Sequence, residues 1–406
     1  MAPDRDRPGP PWWLGGAGVL AGAFLFNLGQ GVLRPTMPLY LRQVFSANYR
    51  MVTAIPTVFG LGKWVASLPT GHLQDRFGRR LLMVGGLVVI AFSDVASIMT
   101  SSYPVFLGFR ALAGVGWAMF GTVATTVMVD LPGAARRGRA VSLLMMSETS
   151  GLLVGSAAGG WAYAGVGVAS PLVLEAVCVL VAALLAARWA LPPVSPGRVE
   201  RRPGGWRQLR AVLRTPGVNA MSAVNAVLTA IQTGVLVFLF PLYLVSRGGV
   251  GPEAVGVLTS VTIVGRLGAL WLGGGLSDRW GRTRVLFAGL LGYAAVLGSV
   301  PFVTDPALLG VWSLALGATA GFVAPLPTAV IGDQVVPALH GLAIGWLRTM
   351  TDGGQILGPL IMGGLADAAG LPAPFYLGAA LLIAMAWPCR RLASSTPAIA
   401  ASGDGA

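Results

Sequence analysis

Gly71-His72-Leu73-Gln74-Asp75-Arg76-Phe77-Gly78-Arg79-Arg80 decides the fold of this 406-residue chain. It lies between two apolar runs and holds four charges, Asp75, Arg76, Arg79 and Arg80, in six residues. Asp75 to Arg80 reads as a tight turn, with Gly78 free to take a positive φ. A second copy stands at Gly274-Gly275-Leu276-Ser277-Asp278-Arg279-Trp280-Gly281-Arg282-Thr283-Arg284. Asp75 and Asp278 are 203 residues apart, half the length of the chain.

Working outward, the chain is 55% apolar and 11% charged, where a soluble domain carries about 25% charged residues. Apolar runs of roughly 20 residues recur along its whole length, which is the signal of membrane-spanning helices. Net charge is +13, yet only Lys63 among 28 basic residues is a lysine, and most arginines sit in short loops. That pattern argues against a nucleic-acid surface. Cys178 and Cys389 lie inside apolar runs, and His72 and His340 are far apart, so neither a disulfide framework nor a metal site is expected. No phosphate-binding loop of the Gly-x-x-x-x-Gly-Lys-Ser/Thr kind is present, and no cofactor is implied. The run from Trp12 to Phe26 has a weak basic flank, with Asp4 and Asp6 offsetting Arg5 and Arg7. It is expected to remain as helix 1 and not to act as a signal peptide.

Twelve spans can be drawn, at 13–40, 51–70, 81–100, 104–130, 140–163 and 168–190, then 218–245, 254–274, 285–303, 307–335, 342–366 and 373–390. The expected fold is an all-α integral membrane protein. It comprises an N-terminal six-helix bundle (1–190), a cytoplasmic linker (191–216), a C-terminal six-helix bundle (217–392) and a disordered tail (393–406); residues 1–11 are also expected to be disordered. The linker carries Pro192, Pro193, Pro196, Pro203 and six arginines. The halves align at an offset of 203 without a gap through five helices. Pro38-Leu39-Tyr40-Leu41 matches Pro241-Leu242-Tyr243-Leu244, Lys63 matches Arg266, Gly114 matches Gly317 and Asp130 matches Asp333. With the N-terminus inside, 20 of the 28 basic residues fall in cytoplasmic segments and only Arg42, Arg50 and Arg247 fall outside, so both termini are expected in the cytoplasm.

The repeated loop resembles the signature of the major facilitator superfamily, Gly-x-x-x-Asp-Arg-x-Gly-Arg-Arg. The first copy matches at every fixed position, and the second departs only at Thr283. The resemblance implies two pseudo-symmetric six-helix bundles around a midplane substrate site, working by alternating access. It also implies a cytoplasmic latch made of Gly71, Asp75, Arg76, Gly78, Arg79 and Asp130, repeated as Asp278, Arg279, Gly281, Arg282 and Asp333. Within the latch, Arg79 is expected to meet Asp130, and Arg282 to meet Asp333. The plainer alternative is a set of positive-inside anchors.

Arg110-Ala-Leu-Ala-Gly114-Val-Gly116 is similar to the family's helix 4 motif, with Asp94 at comparable depth on helix 3. An arginine within a span faces a partner or a wet cavity. Arg110 and Asp94 are therefore either a structural pair or part of the proton-coupling machinery. Gly151-Leu-Leu-Val-Gly155-Ser156-Ala-Ala-Gly159-Gly160 resembles the antiporter motif of helix 5, with Ser156 where that motif has proline; helix 11 supplies Gly358-Pro359 instead. Generic packing of small residues is the alternative. Asn27, Gln30, Trp117 and Phe120 in the first half, and Asn225, Gln232, Phe238, Trp312 and Phe322 in the second, are candidates for a substrate cavity. Such a sparse polar lining suits an amphipathic molecule.

Four further charges fall at matching depth within spans. Lys63 is expected to meet Asp352, and Arg266 to meet Glu148, across the halves, with Glu148 and Asp352 carrying a coupling proton. Snorkelling, or pairing of Arg348 with Asp352 four residues apart, is the alternative. Together these readings indicate a secondary transporter of the cell inner membrane, a proton-coupled exporter of a drug-like or amphipathic metabolite, and not an enzyme. Its partners would be a small molecule, protons and the bilayer, with no nucleic acid, and it would be monomeric. An uptake permease for a sugar or organic acid, or a receptor or assembly factor that has lost transport, are the rival readings.

Overall fold

The computed structural model describes residues 12–130, 137–188, 210, 212–246, 249–303, 305–336 and 339–394. Among these there are twelve helices and no strands. The first six are α1 (Trp12–Phe45), α2 (Tyr49–Phe77), α3 (Arg79–Met99), α4 (Tyr103–Asp130), α5 (Arg137–Gly165) and α6 (Ser170–Arg188). In the second six, α7 starts at Pro216 and continues through a π-helical stretch, Ile231–Leu239, to Ser246. Then follow α8 (Pro252–Trp280), α9 (Arg282–Ser299) and α10, which runs from Pro306 to Gln334 with a break before Leu326. The last two are α11 (His340–Ala369) and α12 (Ala373–Ser394).

Ten of the twelve are long and apolar enough to cross a membrane. The two that fall short, α2 and α11, are 29 and 30 residues long. Their apolar character is diluted by Lys63, His72 and Gln74 in α2, and by Arg348, Asp352 and Gln355 in α11.

The 203-residue offset is kept by the backbone. The starts of α2 and α8 (Tyr49, Pro252), α3 and α9 (Arg79, Arg282), α4 and α10 (Tyr103, Pro306), α5 and α11 (Arg137, His340) and α6 and α12 (Ser170, Ala373) all differ by that spacing. The correspondence therefore reaches the sixth helix, one further than the residue matches. The expected six-residue turn at Asp75–Arg80 is corrected: α2 stays helical to Phe77 and α3 begins at Arg79, so Gly78 alone makes the turn. Its φ is 85°, and that of Gly281 at the equivalent place is 88°. A side chain would be strained in that conformation, which explains why glycine occurs at both.

The chain divides into two compact units, Met1–Phe45 with Val58–Glu200, and Ser46–Thr57 with Arg201–Ala406. The first unit has a core built on Val19, Phe26, Leu87, Ile90, Phe120, Val123 and Val179. The second has its own, on Met221, Val235, Tyr243, Leu286, Leu316, Leu326 and Phe375. Around these cores large apolar side chains point outward, among them Trp64, Phe92, Trp161, Leu184, Leu357 and Trp387. Such a surface is stable against hydrocarbon and costly in water.

The opening turn of α2 belongs to the second unit. Its N–H groups at Tyr49 and Arg50 donate to the two carboxylate oxygens of Asp367 on α11, each at 2.9 Å, and Met51 N–H donates to Asn48 Oδ1 at 2.8 Å. Three of the orphan donors of a helix start are thus satisfied. Much of the expected linker, 191–209 and 211, lies outside the described residues, as do 1–11 and 395–406. Residues 393 and 394, expected in the tail, are helical, because α12 runs to Ser394.

Candidate functional site

The most concentrated chemistry lies inside the first unit, where α1, α3, α4 and α6 bring four polar side chains to one point. Arg110 on α4 donates from Nη2 to Asp94 Oδ1 on α3 at 2.5 Å, and to Ser97 Oγ at 3.1 Å. Its Nη1 lies 3.9 Å from Glu175 Oε2 on α6. Gln30 on α1 donates from Nε2 to Glu175 Oε1 at 2.5 Å. Arg110 is 3% exposed, and Asp94 and Glu175 are both 0% exposed. The guanidinium also stands 5.6 Å from the centre of the Phe106 ring, which stacks on Tyr40. Two carboxyls and one guanidinium are thus held out of water together, an arrangement that is costly unless charges and hydrogen bonds are matched.

The sequence led to Arg110, Asp94 and Gln30 but not to Glu175. The signal was a lone acid in the apolar run Pro171-Leu-Val-Leu-Glu175-Ala-Val of α6.

Both latch pairs form within their own units. Arg79 Nη2 meets Asp130 Oδ2 at 2.7 Å, and Arg282 Nη1 meets Asp333 Oδ1 at 2.7 Å and also donates to Ala329 O at 3.0 Å. Each pair ties the helix after the glycine turn to the end of the next helix. Arg76 and Arg279 are exposed, Arg76 lying over the Phe77 ring. The side chains of Asp75 and Asp278 lie outside the described residues.

The α5 glycines are packing positions against α1. A Cβ on Gly151, Gly155 or Gly159 would overlap the carbonyl oxygens of Phe24, Leu28 and Val32 in turn. This close approach needs residues without side chains at four-residue spacing. Gly160 is also buried. Ser156, at the motif's proline position, bonds back to Leu152 O at 2.8 Å, so its hydroxyl is satisfied within the helix. In the second unit the same contact recurs: Gly354 and Gly358 of α11 approach Ala226 and Ala230 of α7, and Gly234 lies 3.1 Å from Pro359 Cα, measured from a Cβ built on it.

The candidate cavity residues are scattered in environment. Phe120 is 1% exposed and packs against Phe26 at 5.1 Å, within the core of the first unit. Phe238 is likewise buried within the π-helical stretch, which also carries Gln232. Asn27 donates to Ala23 O of its own helix. Asn225 donates to Thr351 Oγ1 on α11 at 2.6 Å, and Trp312 to Ser299 Oγ at 2.9 Å. Phe322 is half-buried. Trp117 faces Lys63, whose Nζ stands 4.5 Å from the ring centre. Among the other expected interface charges, Glu148, Arg266 and Asp352 are half-buried and Arg348 is exposed.

A doubled bundle of apolar helices with a buried polar centre defines a multi-pass membrane protein of the transporter class. Comparison with known proteins gives the family. The family model "Major Facilitator Superfamily" matches residues 19–249 and 222–402. The chain belongs to the Major Facilitator Superfamily, as the repeated loop implied, and it is a transporter and not an enzyme. It is 24% identical over 397 residues to the multidrug resistance protein MdtG of Escherichia coli O81 (strain ED1a), covering 94% of this chain and 95% of that one. It is 23% identical over 372 residues to MdtG of Yersinia enterocolitica, with 89% of each covered. Among solved structures, a mutant of the nucleoside transporter NupG matches with a TM-score of 0.80 at 12% identity, covering 93% of this chain and 99% of the other. A D-xylose-proton symporter matches with a TM-score of 0.73 at 17% identity, covering 93% and 97%. At such identities the solved structures speak for the fold alone.

Proposed function

We propose that this transporter exports amphipathic small molecules in exchange for protons, by alternating access of its two six-helix halves. The observation that carries this reading is the α5 glycine stripe laid against α1, the packing form of the antiporter motif. It agrees with the multidrug resistance names of relatives that match nearly the full length. The buried Asp94–Arg110 pair supplies ionisable groups for proton coupling, next to the helix, α1, that carries Asn27 and Gln30.

On this reading the Arg79–Asp130 and Arg282–Asp333 pairs stiffen the cytoplasmic ends of the halves, and the loops at Asp75 and Asp278 latch them when the inside is closed. The protein lies in the cell inner membrane with both termini in the cytoplasm.

The test uses the purified chain in proteoliposomes with an imposed pH gradient and ethidium as the probe. Uphill ethidium movement against the proton gradient, abolished by a protonophore, is the expected result. Movement of ethidium with the protons, or gradient-driven accumulation of a labelled sugar or nucleoside in its place, would replace export with uptake.

A further inference from the structure

Three atoms of the buried cluster have no hydrogen-bond partner: Asp94 Oδ2, Glu175 Oε2 and Arg110 Nε. The two carboxyls lie within hydrogen-bonding reach of each other. Two bare carboxylates cannot bond to each other, because each offers only acceptors. One proton on either of the orphaned oxygens, donated to the other, satisfies both. It also brings the cluster to neutrality: one carboxylate against the Arg110 guanidinium.

The second unit shows that the fold does not need charge here. At an offset of 203, Asp94, Arg110 and Glu175 correspond to Leu297, Ser313 and Gly378. A Cβ on Gly378 would stand 2.8 Å from Leu297 Cδ2, so the same two helix positions meet in the second unit as an apolar contact. Volume is exchanged as well: Gly29 faces Glu175 in the first unit, with a built Cβ 3.1 Å from the Glu175 Cα, while the α7 residue facing Gly378 is Ile231, whose Cγ1 stands 3.5 Å from a Cβ built there. A charge kept where the repeat manages without one is a charge with a task.

Resting on the export reading above, we propose that the Asp94–Glu175 carboxyl pair is a one-proton site, that Glu175 carries the proton, and that Gln30 couples its occupancy to α1. With the proton bound, the three ionisable groups sum to zero. When it leaves to water, they carry one net negative charge, which is tolerated only while water or a cation reaches them. Gln30 grips the Oε1 side of Glu175, so a molecule that displaces α1 also displaces the donor that holds the carboxyl in place. The groups facing Glu175 are Asp94 from α3, Arg110 from α4, Gln30 from α1 and Cys178 on α6 itself. Tyr40 of α1 faces Arg110. From α5 the nearest acid along the chain is Glu148, about 18 Å further along the helix axes at 1.5 Å per residue.

The experiment is infrared difference spectroscopy of the full-length protein in nanodiscs, following the carboxylic-acid C=O stretch and its shift in D2O. At neutral pH the wild type is expected to show this band, Glu175→Gln to lose it, and Glu253→Gln to keep it. Persistence of the band in Glu175→Gln, or its loss in Glu148→Gln or Asp352→Asn, overturns the assignment. If Glu175→Gln does not fold, Gln30→Leu reads the same group: without the amide hydrogen bond the band moves to higher frequency, and an unmoved band overturns the coupling role. In proteoliposomes, Glu175→Gln should lose pH-gradient-driven ethidium movement by at least about tenfold while exchange of labelled for unlabelled ethidium continues. Exchange and gradient-driven movement falling together would make the residue structural. Absence of ethidium transport in the wild type counts against the export reading, and leaves the infrared result to decide the proton site.

Discussion

Replacing Arg110 with serine, its counterpart in the second unit, should be strongly destabilising. The substitution leaves Asp94 and Glu175 fully buried without the cation that faces both. Breaking a buried ion pair by removing one partner costs about 3–5 kcal/mol. Removing the charges together is a different perturbation. The variant Asp94→Leu/Arg110→Met/Glu175→Met keeps the side-chain volume beside Gly29 and leaves no buried charge behind, only the Gln30 amide without its acceptor. Its stability is expected within about 2 kcal/mol of the wild type, because apolar replacement of a buried charge cluster is neutral or stabilising.

The assay is denaturant unfolding of the purified protein in mixed micelles, followed by tryptophan fluorescence, with pH-gradient-driven transport measured on the same samples. The expected pattern is a destabilised single variant, a triple variant that folds as the wild type does, and no coupled transport in either. If the triple variant is as unstable as Arg110→Ser, the cluster is a structural element and the argument from the second unit's Leu297, Ser313 and Gly378 fails.

Three other outcomes follow from the geometry. Gly155→Leu should prevent α1 and α5 from docking, because even a Cβ there overlaps Leu28 O, whereas Gly165→Ala, with open space around it, should express and transport normally. Asp130→Asn should leave melting nearly unchanged, since the half-exposed pair with Arg79 is worth about 1 kcal/mol at most, yet it should slow transport; wild-type transport in the variant would remove any latch role for that pair. Asp367→Ala should cost about 1 kcal/mol, read as a lowered melting temperature, because it strips the cap from the first turn of α2; no change would mean that water replaces the carboxylate there.

What the sequence made legible was whatever the two halves share. The 203-residue offset, visible in residue matches, recurs in the helix starts, and the family resemblance of the repeated loop implied the pairing of Arg79 with Asp130 and of Arg282 with Asp333. The length of α2 was not legible, because His72, Gln74 and Asp75 read as a loop by polarity while a helix leaving the membrane can carry them. Nor was the π-helical stretch of α7, because Ile231–Leu239, apolar apart from Gln232 and Thr233, gives no periodic sign of an i→i+5 pattern. Glu175 escaped for the opposite reason to the latch residues: its repeat position is Gly378, so comparing the halves hides it. The repeat carries what the scaffold needs twice. Asymmetry between the halves is therefore the better guide to chemistry the protein performs once: it marks positions where a polar side chain within a span of one half corresponds to a glycine or leucine in the other. By that criterion Gln232, opposite Gly29 in the repeat and seated in the π-helical stretch, is the second-unit residue whose substitution should alter transport without altering the core. Unchanged transport in Gln232→Leu would confine the functional asymmetry to the first unit.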